Sequence, residues 1–197
     1  MESISKLFWV LVLCVIVTAH KGSAEELKGK GVIEGDVKEL KGKSLIQKVC
    51  TMSPTRNLCV EVLSSDPVKS PNATLKDLAI ISLRMAANNA SGILTDAKKL
   101  IDDQNLNPDV QQGLADCKET ILDAESQLED TIAALLVDAE TDAHVWLKAA
   151  LTAIDTCDAS IPGDHDQLSV KSLLFRKLCN ISIAVSGLLT KPKLLLL

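Results

Sequence analysis

The sequence predicts an all-α fold, an antiparallel up-and-down four-helix bundle preceded by a helical hairpin. Three observations predict it. Four long segments between residues 72 and 190 carry apolar residues at the three-four spacing that buries one face of a helix. The breaks between these segments are short and contain proline, glycine or capping residues, as between antiparallel neighbours. No segment combines alternating apolar residues with turn chemistry in the way that predicts strands.

Residues 1–24 are typical of a cleaved secretory signal peptide. The apolar run at 7–17 follows a short polar start, and Gly22, Ser23 and Ala24 supply small residues for cleavage. The run is too short to span a bilayer as a mature helix, although an uncleaved anchor is the alternative. We therefore expect a secreted, extracellular chain in which cysteines form disulfides.

The composition of the mature chain argues against some partners. Removal of residues 1–24 takes away two lysines and one glutamate, so the net charge moves from -5 to -6. Only Trp146 and Phe175 remain as aromatic side chains. An acidic chain that lacks stacking surfaces is a poor nucleic-acid binder, and a basic partner is easier to accommodate.

The two ends of the mature chain are predicted to lie outside the helical domain. Residues 25–43 (EELKGKGVIEGDVKELKGK) have too few apolar side chains to offset the entropy of ordering, which predicts a flexible lead-in. The tail at 191–197 is too short for a membrane helix or a lipid-anchor signal, so no membrane contact is expected of the mature form.

The hairpin is predicted over 44–65. Pro54 divides the segment into two short helical arms, and Cys50 and Cys59 on these arms are an obvious local disulfide pair. Half a metal site is the alternative interpretation of this pair. Its spacing is longer than the usual two to four residues between ligands, and no histidine lies near. We therefore expect no metal.

The four bundle helices are predicted over 74–103, 107–138, 141–159 and 167–189. Thr74 and Asn107 are the expected caps, with Pro108 in the first turn of the second helix and Pro162 beyond the third. The predicted buried positions are Leu75, Leu78, Ile80 or Ile81, Met85, Ile93, Leu94, Ala97 and Ile101; Val110, Leu114, Cys117, Ile121, Ala124, Leu128 and Leu135; Val145 or Trp146, Ala149, Thr152 or Ala153, and Cys157; and Val170, Leu173 or Leu174, Leu178, Ile181, Val185 and Leu188.

The second bundle helix also carries an acidic stripe, defined as Asp116, Glu119, Asp123 and Asp130. At roughly 100° per residue these positions lie well away from the buried line of the same helix. From the residues alone, a solvated helix face is the ordinary interpretation of such a stripe.

Five cysteines remain after the signal peptide and permit two bridges and a free thiol in several ways. If Cys50 pairs with Cys59, a Cys117 to Cys157 bridge would join the second and third bundle helices and stabilise by roughly 3 to 4 kcal/mol in the chain-entropy model. Cys179 is then most simply a buried free thiol. Three glycosylation sequons begin at Asn72, Asn89 and Asn180, and the first lies in a predicted loop.

The sequence contains few candidate catalytic residues. No motif for a serine nucleophile, a zinc protease, a phosphate loop or a redox cysteine pair occurs in the sequence. Glu119 and Asp123 could form an acid and base pair only if something separated their pKa values, which solvent exposure prevents. We therefore expect neither enzymatic activity nor a cofactor.

Several motifs, in order, resemble the plant invertase and pectin methylesterase inhibitors. They are LIQKVC and NLCVEVLSSDP around Cys50 and Cys59, ADCKETILDA at 115–124, AALTAIDTC at 149–157 and LCNISIAVSGLL at 178–189. The resemblance covers about 44–190 and implies a four-helix bundle with an N-terminal hairpin. It also implies disulfides that join the first cysteine to the second and the third to the fourth, with the fifth often free.

The resemblance implies a role for the acidic stripe, because pectin methylesterase inhibitors cover the enzyme's substrate cleft with acids on this helix. Glu119 and Asp123 match two of the family's acidic positions, and Ser126 occupies the third. Thr156 matches the family's threonine, whereas the acid expected at Ala159 is displaced to Asp158. Asp116 belongs to the stripe by periodicity only.

The implied function is that of a secreted inhibitor in the plant apoplast or cell wall, which binds pectin methylesterase one to one. The Pro-Lys-Phe segment of many invertase inhibitors is replaced here by TDAHVW at 141–146, which favours pectin methylesterase. Inhibition of an acid invertase of the cell wall or vacuole is the alternative. A non-inhibitory helical binding module, for instance one that holds a small apolar molecule, is a further alternative.

Overall fold

The structure of the chain is a computed structural model, which describes residues 40–163 and 166–189. The predicted signal peptide, most of the predicted lead-in and the tail at 191–197 lie outside the described residues. Within the described ranges the chain forms six α-helices and one short 3-10 turn, and no strand.

The hairpin consists of α1 (Gly42–Cys50) and α2 (Arg56–Leu63). Its first helix begins two residues before the predicted boundary, because the backbone amide of Gly42 donates to the carbonyl oxygen of Ala73 at 2.9 Å and fixes the chain there. Pro54 lies in the turn between the arms, as predicted. The Cys50–Cys59 disulfide links the two arms.

The bundle consists of α3 (Leu75–Ile101), α4 (Pro108–Leu136), α5 (Glu140–Ser160) and α6 (Asp166–Ser186), and a 3-10 turn at Ser70–Asn72 precedes it. Both predicted caps are confirmed. Thr74 and Asp77 form a reciprocal capping box at the start of α3. The side chain of Asn107 accepts a hydrogen bond from the amide of Asp109 at 2.8 Å.

The bundle helices pack in a ring, in which α3 and α5 each contact both α4 and α6. Their directions are antiparallel. The Ser82 and Ser182 hydroxyls meet at 2.9 Å near the start of α3 and the end of α6, and Lys171 reaches Asp96 near the opposite ends of the same helices. The Cys117–Cys157 disulfide joins the first half of α4 to the end of α5. The predicted architecture is therefore confirmed, with α2 packed against α3 and α6.

The predicted buried line of α4 is confirmed in full. Every one of its seven side chains is at most 9% exposed. On α3 the chain buries Ile81 and leaves Ile80, Met85 and Ile101 half-buried. The acidic face of α4 therefore points away from the core.

The predicted buried lines of α5 and α6 are partly wrong. On α5, Val145 and Trp146 are 59% and 39% exposed, and Thr152 is exposed. On α6, Val170, Leu173 and Leu174 are all exposed. Six predicted positions are confirmed as buried, namely Cys157, Leu178, Cys179, Ile181, Val185 and Leu188. The buried positions that the pattern missed are Ala143, Leu147, Ala150 and Ile154 on α5, and Leu168, Ser172, Phe175, Ser182 and Ser186 on α6.

Candidate functional site

The disulfide between Cys117 and Cys157 brings α4 and α5 close together beside the acidic stripe. Their Cα atoms are 3.9 Å apart. One turn earlier on α4, the carbonyl oxygen of Gly113 accepts a hydrogen bond from the hydroxyl of Ser160 at 2.9 Å. A Cβ atom on Gly113 would lie 2.3 Å from the Ser160 carbonyl oxygen, so only glycine permits this approach.

Asp116 and Asp123 are the residues of the acidic stripe that lie nearest to the border between these two helices. Asp116 and Asp123 lie within about 80° of the line through Gly113 that faces α5, at 100° per residue. Asp116, Glu119, Asp123 and Asp130 are all exposed. The stripe is therefore accessible along the middle of α4, from its ninth to its twenty-third residue.

The four carboxylates of the stripe differ in whether a neighbouring side chain pairs with their negative charge. The Lys118 ammonium lies 3.1 Å from the Glu119 carboxylate, and the Gln112 side-chain amide donates to Asp116 at 2.9 Å. Asp123 and Asp130 have no hydrogen bond or ion pair to any side chain that the structure describes. The uncompensated negative charge is therefore centred on Asp123 and Asp130.

Thr156 lies across the border from the stripe. It precedes Ser160 by one turn, so it lies only about 40° from the line of α5 that touches α4. Its side chain is exposed, and its hydroxyl donates to the carbonyl oxygen of Thr152 at 2.9 Å. We call the acidic stripe together with Thr156 the α4–α5 seam.

The structure separates Asp158 from the other predicted contact residues. Two residues along a helix correspond to a rotation of about 200°, so Asp158 lies on the side of α5 opposite to Thr156. Its carboxylate accepts a hydrogen bond from the Arg176 guanidinium at 2.7 Å. Arg176 on α6 also donates to Asp155 at 2.9 Å. The family resemblance proposed Asp158 as a contact residue, and in the structure its charge is compensated by Arg176.

Arg176 is the partner of Asp158 that the sequence did not indicate. Its guanidinium is partly buried, which opposes the charge, but the hydrogen bonds to Asp158 and Asp155 outweigh that cost and raise the pKa of Arg176. Nothing in the sequence connects it with carboxylates that lie 18 and 21 residues earlier. Arg176 therefore compensates the negative charge of Asp155 and Asp158 on α5.

Ser126 and Ala159 occupy the two positions where the family pattern has an acid and this chain has none. Ser126 is exposed on the outer ridge of α4, where the family pattern has an acid, and Ala159 is exposed on α5. Neither supplies a charge to the seam.

No group of three or more His, Cys, Asp or Glu among the described residues could hold a metal ion. His144 is half-buried, and its Nδ1 atom is buried without a hydrogen bond to a described residue. Cys179 is a free thiol, as predicted, and burial raises its pKa to about 12. No helix in the described ranges has the length and apolar character needed to cross a membrane.

An apolar groove of about 320 Å³ lies at the hairpin, away from the seam. It is lined by Ile46, Val60, Pro67 and Pro71 together with Lys43 and Asp66.

Comparisons with known proteins converge on one family. Residues 44–185 match the family model described as plant invertase/pectin methylesterase inhibitor. A protein of Platanus orientalis named "Putative invertase inhibitor" is 30% identical over 73% of this chain and 86% of its own length. An Arabidopsis thaliana protein named probable pectinesterase/pectinesterase inhibitor 34 is 27% identical over 72% of this chain, which is 24% of its own length.

A solved structure supports the fold. The crystal structure of a mutant form of a pectin methylesterase inhibitor from Arabidopsis superposes with a TM-score of 0.61. It is 21% identical to this chain and covers 73% of it and 95% of the crystallised chain.

Proposed function

The chain belongs to the plant invertase/pectin methylesterase inhibitor family, and on that premise we propose that it inhibits pectin methylesterase by laying the α4–α5 seam over the active-site cleft of the enzyme. The inhibitor acts as a one-to-one binding partner and performs no chemistry of its own. It acts in the apoplast or cell wall, to which the predicted signal peptide would deliver it.

The observation that carries this proposal is the exposed, unpaired carboxylate of Asp123 on α4, the helix that the disulfide ties to the α5 segment with Thr156. A carboxylate without a cation within its own molecule can pair with a basic or hydrogen-bond-donating group of a partner. The α4 and α5 backbones on either side are held by the disulfide and by the Gly113 contact. Little conformational freedom is therefore lost when the seam docks, which favours tight binding.

The choice of target rests on the start of α5. The chain has TDAHVW at 141–146 in place of the Pro-Lys-Phe segment of many invertase inhibitors, which favours pectin methylesterase. The relatives' names point to both targets. Acid invertase is therefore the second candidate, and both enzymes belong in the test.

The test is a pair of inhibition assays with purified pectin methylesterase and acid invertase. The variant Glu119→Lys with Asp123→Lys reverses two charges of the seam, and we expect it to lose inhibition of the true target. The loss should be larger at low salt, because screening weakens the charge interactions of the native complex.

A matched control makes the same change of charge elsewhere. Glu61 on α2 and Asp102 at the end of α3 are exposed, and their carboxylates make no ion pair with a described residue. Glu61→Lys with Asp102→Lys should inhibit as the wild type does. Equal inhibition by the seam variant and the control would refute the assignment of the site. Failure of the wild type to inhibit either enzyme would refute the function.

A further inference from the structure

Charge is distributed unevenly between the hairpin and the bundle. Residues 41–72 carry five cations and two carboxylates, a net charge of +3. Helix α4 carries seven carboxylates and one lysine, a net charge of -6. The hairpin helix α2 packs against α3 and α6, which form the edge of the ring opposite the border between α4 and α5. The bundle therefore has a basic hairpin on one side and an acidic helix on the other.

The cations of the hairpin segment are not used within the fold. None of the five makes an ion pair with a described residue, and they are Lys41, Lys43, Lys48, Arg56 and Lys69. Five of the nine cations between residues 74 and 189 do pair with a carboxylate. The positive charge of the hairpin is therefore available to an anionic partner.

The groove of about 320 Å³ at the hairpin combines an apolar lining with this positive charge. Its apolar lining consists of Ile46, Val60, Pro67 and Pro71, and the exposed Lys43 lines it as well. Small-molecule sites in proteins occupy roughly 300 to 1,000 Å³, so the groove has room for a short segment of a larger ligand.

Asp66 is the carboxylate among the lining residues, and its charge is compensated locally. The backbone amides of Lys69 and Val68 donate to it at 2.9 and 3.0 Å, and together with the charges of Lys69 and Arg84 they lower the pKa of Asp66. Lys69 and Arg84 are both exposed. We call Lys43, Lys69 and Arg84 the basic rim, which with Asp66 has a net charge of +2.

The chemistry of the groove favours a polymer of sugar acids over an acidic peptide. A peptide strand docks by pairing its backbone with exposed N–H and C=O groups, and Pro67 and Pro71 have no N–H to offer. The C–H faces of sugar rings need only an apolar surface, and uronate carboxylates pair with ammonium and guanidinium groups. A pectin methylesterase, the proposed target, converts methyl esters of such a polymer into free carboxylates.

We propose that the hairpin groove binds an anionic polysaccharide, a polyuronate segment whose ring faces lie on the apolar lining and whose carboxylates pair with the basic rim. Because the hairpin and the α4–α5 border lie at opposite edges of the ring, the polymer leaves the seam free. The inhibitor then holds the de-esterified polymer on one side and the enzyme on the other. Polymer binding stands on the groove, and the simultaneous hold of the enzyme rests on the proposed function.

The binding is tested with the secreted protein and a fluorescently labelled oligogalacturonate of defined length. We expect binding that weakens as salt is added, because screening weakens exposed ion pairs. The same oligomer after complete methyl esterification should not bind, and polyglutamate at an equal concentration of carboxylates should bind more weakly. Absence of binding to the free acid, or equal binding of the ester or of polyglutamate, would overturn the proposal.

The basic rim is tested with a matched pair of double variants. Lys43→Ala with Lys69→Ala should bind the oligogalacturonate about tenfold more weakly, as expected for the loss of two exposed ion pairs. Lys98→Ala with Lys148→Ala removes two exposed lysines of the bundle that make no ion pair with a described residue, and it should bind as the wild type does. Equal weakening in both variants would show that net charge, and not the groove, determines binding.

The apolar lining is tested by placing a carboxylate in it. Val60→Glu should weaken binding, because the new charge repels the uronate and interrupts the apolar surface. Val170→Glu is the control, since Val170 is 72% exposed on α6 and does not line the groove. Circular dichroism checks that both variants are folded, and equal affinities in the two folded variants would contradict the groove as the site.

The assays separate this proposal from the proposed function, because the polymer assay contains no enzyme. Glu119→Lys with Asp123→Lys should still bind the oligogalacturonate, and Lys43→Ala with Lys69→Ala should still inhibit the target enzyme. A protein that binds the polymer but inhibits neither enzyme would refute the function alone. Inhibition without polymer binding would refute this inference alone, and a loss of inhibition in the rim variant would contradict the separation of the two sides.

Discussion

Gly113 of α4 and Ser160 of α5 lie so close together that a Cβ atom on Gly113 would be 2.3 Å from the Ser160 carbonyl oxygen. The Ser160 hydroxyl donates a hydrogen bond to the Gly113 carbonyl oxygen at 2.9 Å. The same hydroxyl lies 2.7 Å from the Cys157 carbonyl, within the residue that forms the inter-helix disulfide. The close approach, the hydroxyl and the disulfide therefore form one brace at the end of the seam.

Gly113→Ala should destabilise the fold, because the new Cβ atom would meet backbone atoms of Ser160 and Ile161 at 2.3 and 2.9 Å. Overpacking of this kind costs about 1 to 3 kcal/mol. Urea unfolding followed by circular dichroism measures the change.

Gly92→Ala is the matched control within a helix. A Cβ atom there would meet only the Lys171 ammonium, at 3.5 Å, which is an ordinary contact. Since alanine favours a helix over glycine by roughly 0.5 to 1 kcal/mol, this variant should be equal to or more stable than the wild type. An equal loss of unfolding free energy in both variants would show that the contact of Gly113 with Ser160 does not cause the destabilisation.

Gly42→Ala should release the hairpin from the bundle. Gly42 has a φ of 55°, and a Cβ atom there would lie 1.9 Å from the carbonyl oxygen of Pro71. Both the left-handed backbone and the contact exclude a side chain, so the loss should exceed about 1 kcal/mol. Hydrogen exchange measured by mass spectrometry should show faster exchange in α1 and α2.

Lys43→Ala changes the next residue, which is exposed, and serves as the control for Gly42. It should leave the exchange of the hairpin unchanged. Unaltered exchange in the Gly42 variant would contradict the anchoring role of that glycine.

The sequence predicted most where one face of a helix held nearly all the large apolar residues. On α4 the run from Val110 to Leu135 gave a single consistent line, and that line is buried. The glycine contacts at Gly42 and Gly113 could not be predicted in this way. Each depends on a backbone atom distant in the chain, Pro71 or Ser160, whose position only the assembled fold determines.

The errors on α5 and α6 have a physical cause in small and polar core residues. The buried line of α6 includes Ser172 and Ser182, and Ser182 is satisfied by Ser82 across the helix pair. Serines interrupt an apolar pattern, so the larger side chains of Val170 and Leu173 defined a false line. On α5 the small residues Ala143 and Ala150 are buried, whereas the larger Trp146, which the pattern favoured, is partly exposed.

The exposure of the proposed contact residues could be predicted on α4, whereas the surroundings of Asp158 on α5 could not. Glu119 and Asp123 follow from periodicity and family resemblance, and both are exposed. The ion pair of Asp158 could not be predicted, because its partner Arg176 lies on another helix. Charge pairing across helices depends on side-chain geometry, which helical periodicity does not contain.

Asp77→Asn should weaken the start of α3 in a pH-dependent way. Hydrogen bonds from the Thr74 hydroxyl and then from the Thr74 amide hold the pKa of Asp77 below its usual value of 3.8. A lowered pKa in the folded state means that the stabilisation is present above 3.8 and is lost as the pH falls through the lowered pKa. The difference in unfolding free energy between wild type and variant, up to about 1 kcal/mol for such a cap, should therefore shrink below pH 3.8.

Asp102→Asn is the control for this measurement, since the Asp102 carboxylate accepts no hydrogen bond from a described residue. Urea unfolding at several pH values between 2.5 and 6, chosen to span the usual carboxylate range of about 4, compares the variants. A difference for Asp77→Asn that stays constant across this range would show that the capping carboxylate does not contribute through its charge.

Cys179 should be unreactive in the folded chain and should make stability fall at high pH. Burial raises the pKa of its thiol from 9.0 to about 12, so almost no thiolate is available to attack a disulfide reagent near pH 8. One thiol per chain from residue 25 onwards should react only after unfolding, because the other four cysteines form disulfides.

The sign of the pH effect follows from the same shift. Between pH 9 and about 12 the unfolded thiol is ionised while the folded one keeps its proton, so the folded state loses stability as the pH rises. Cys179→Ala should remove this part of the pH dependence, although it lowers stability at neutral pH by leaving a small cavity. Rapid labelling of the native wild type at pH 8, or an identical alkaline slope in the variant, would contradict a buried, protonated thiol.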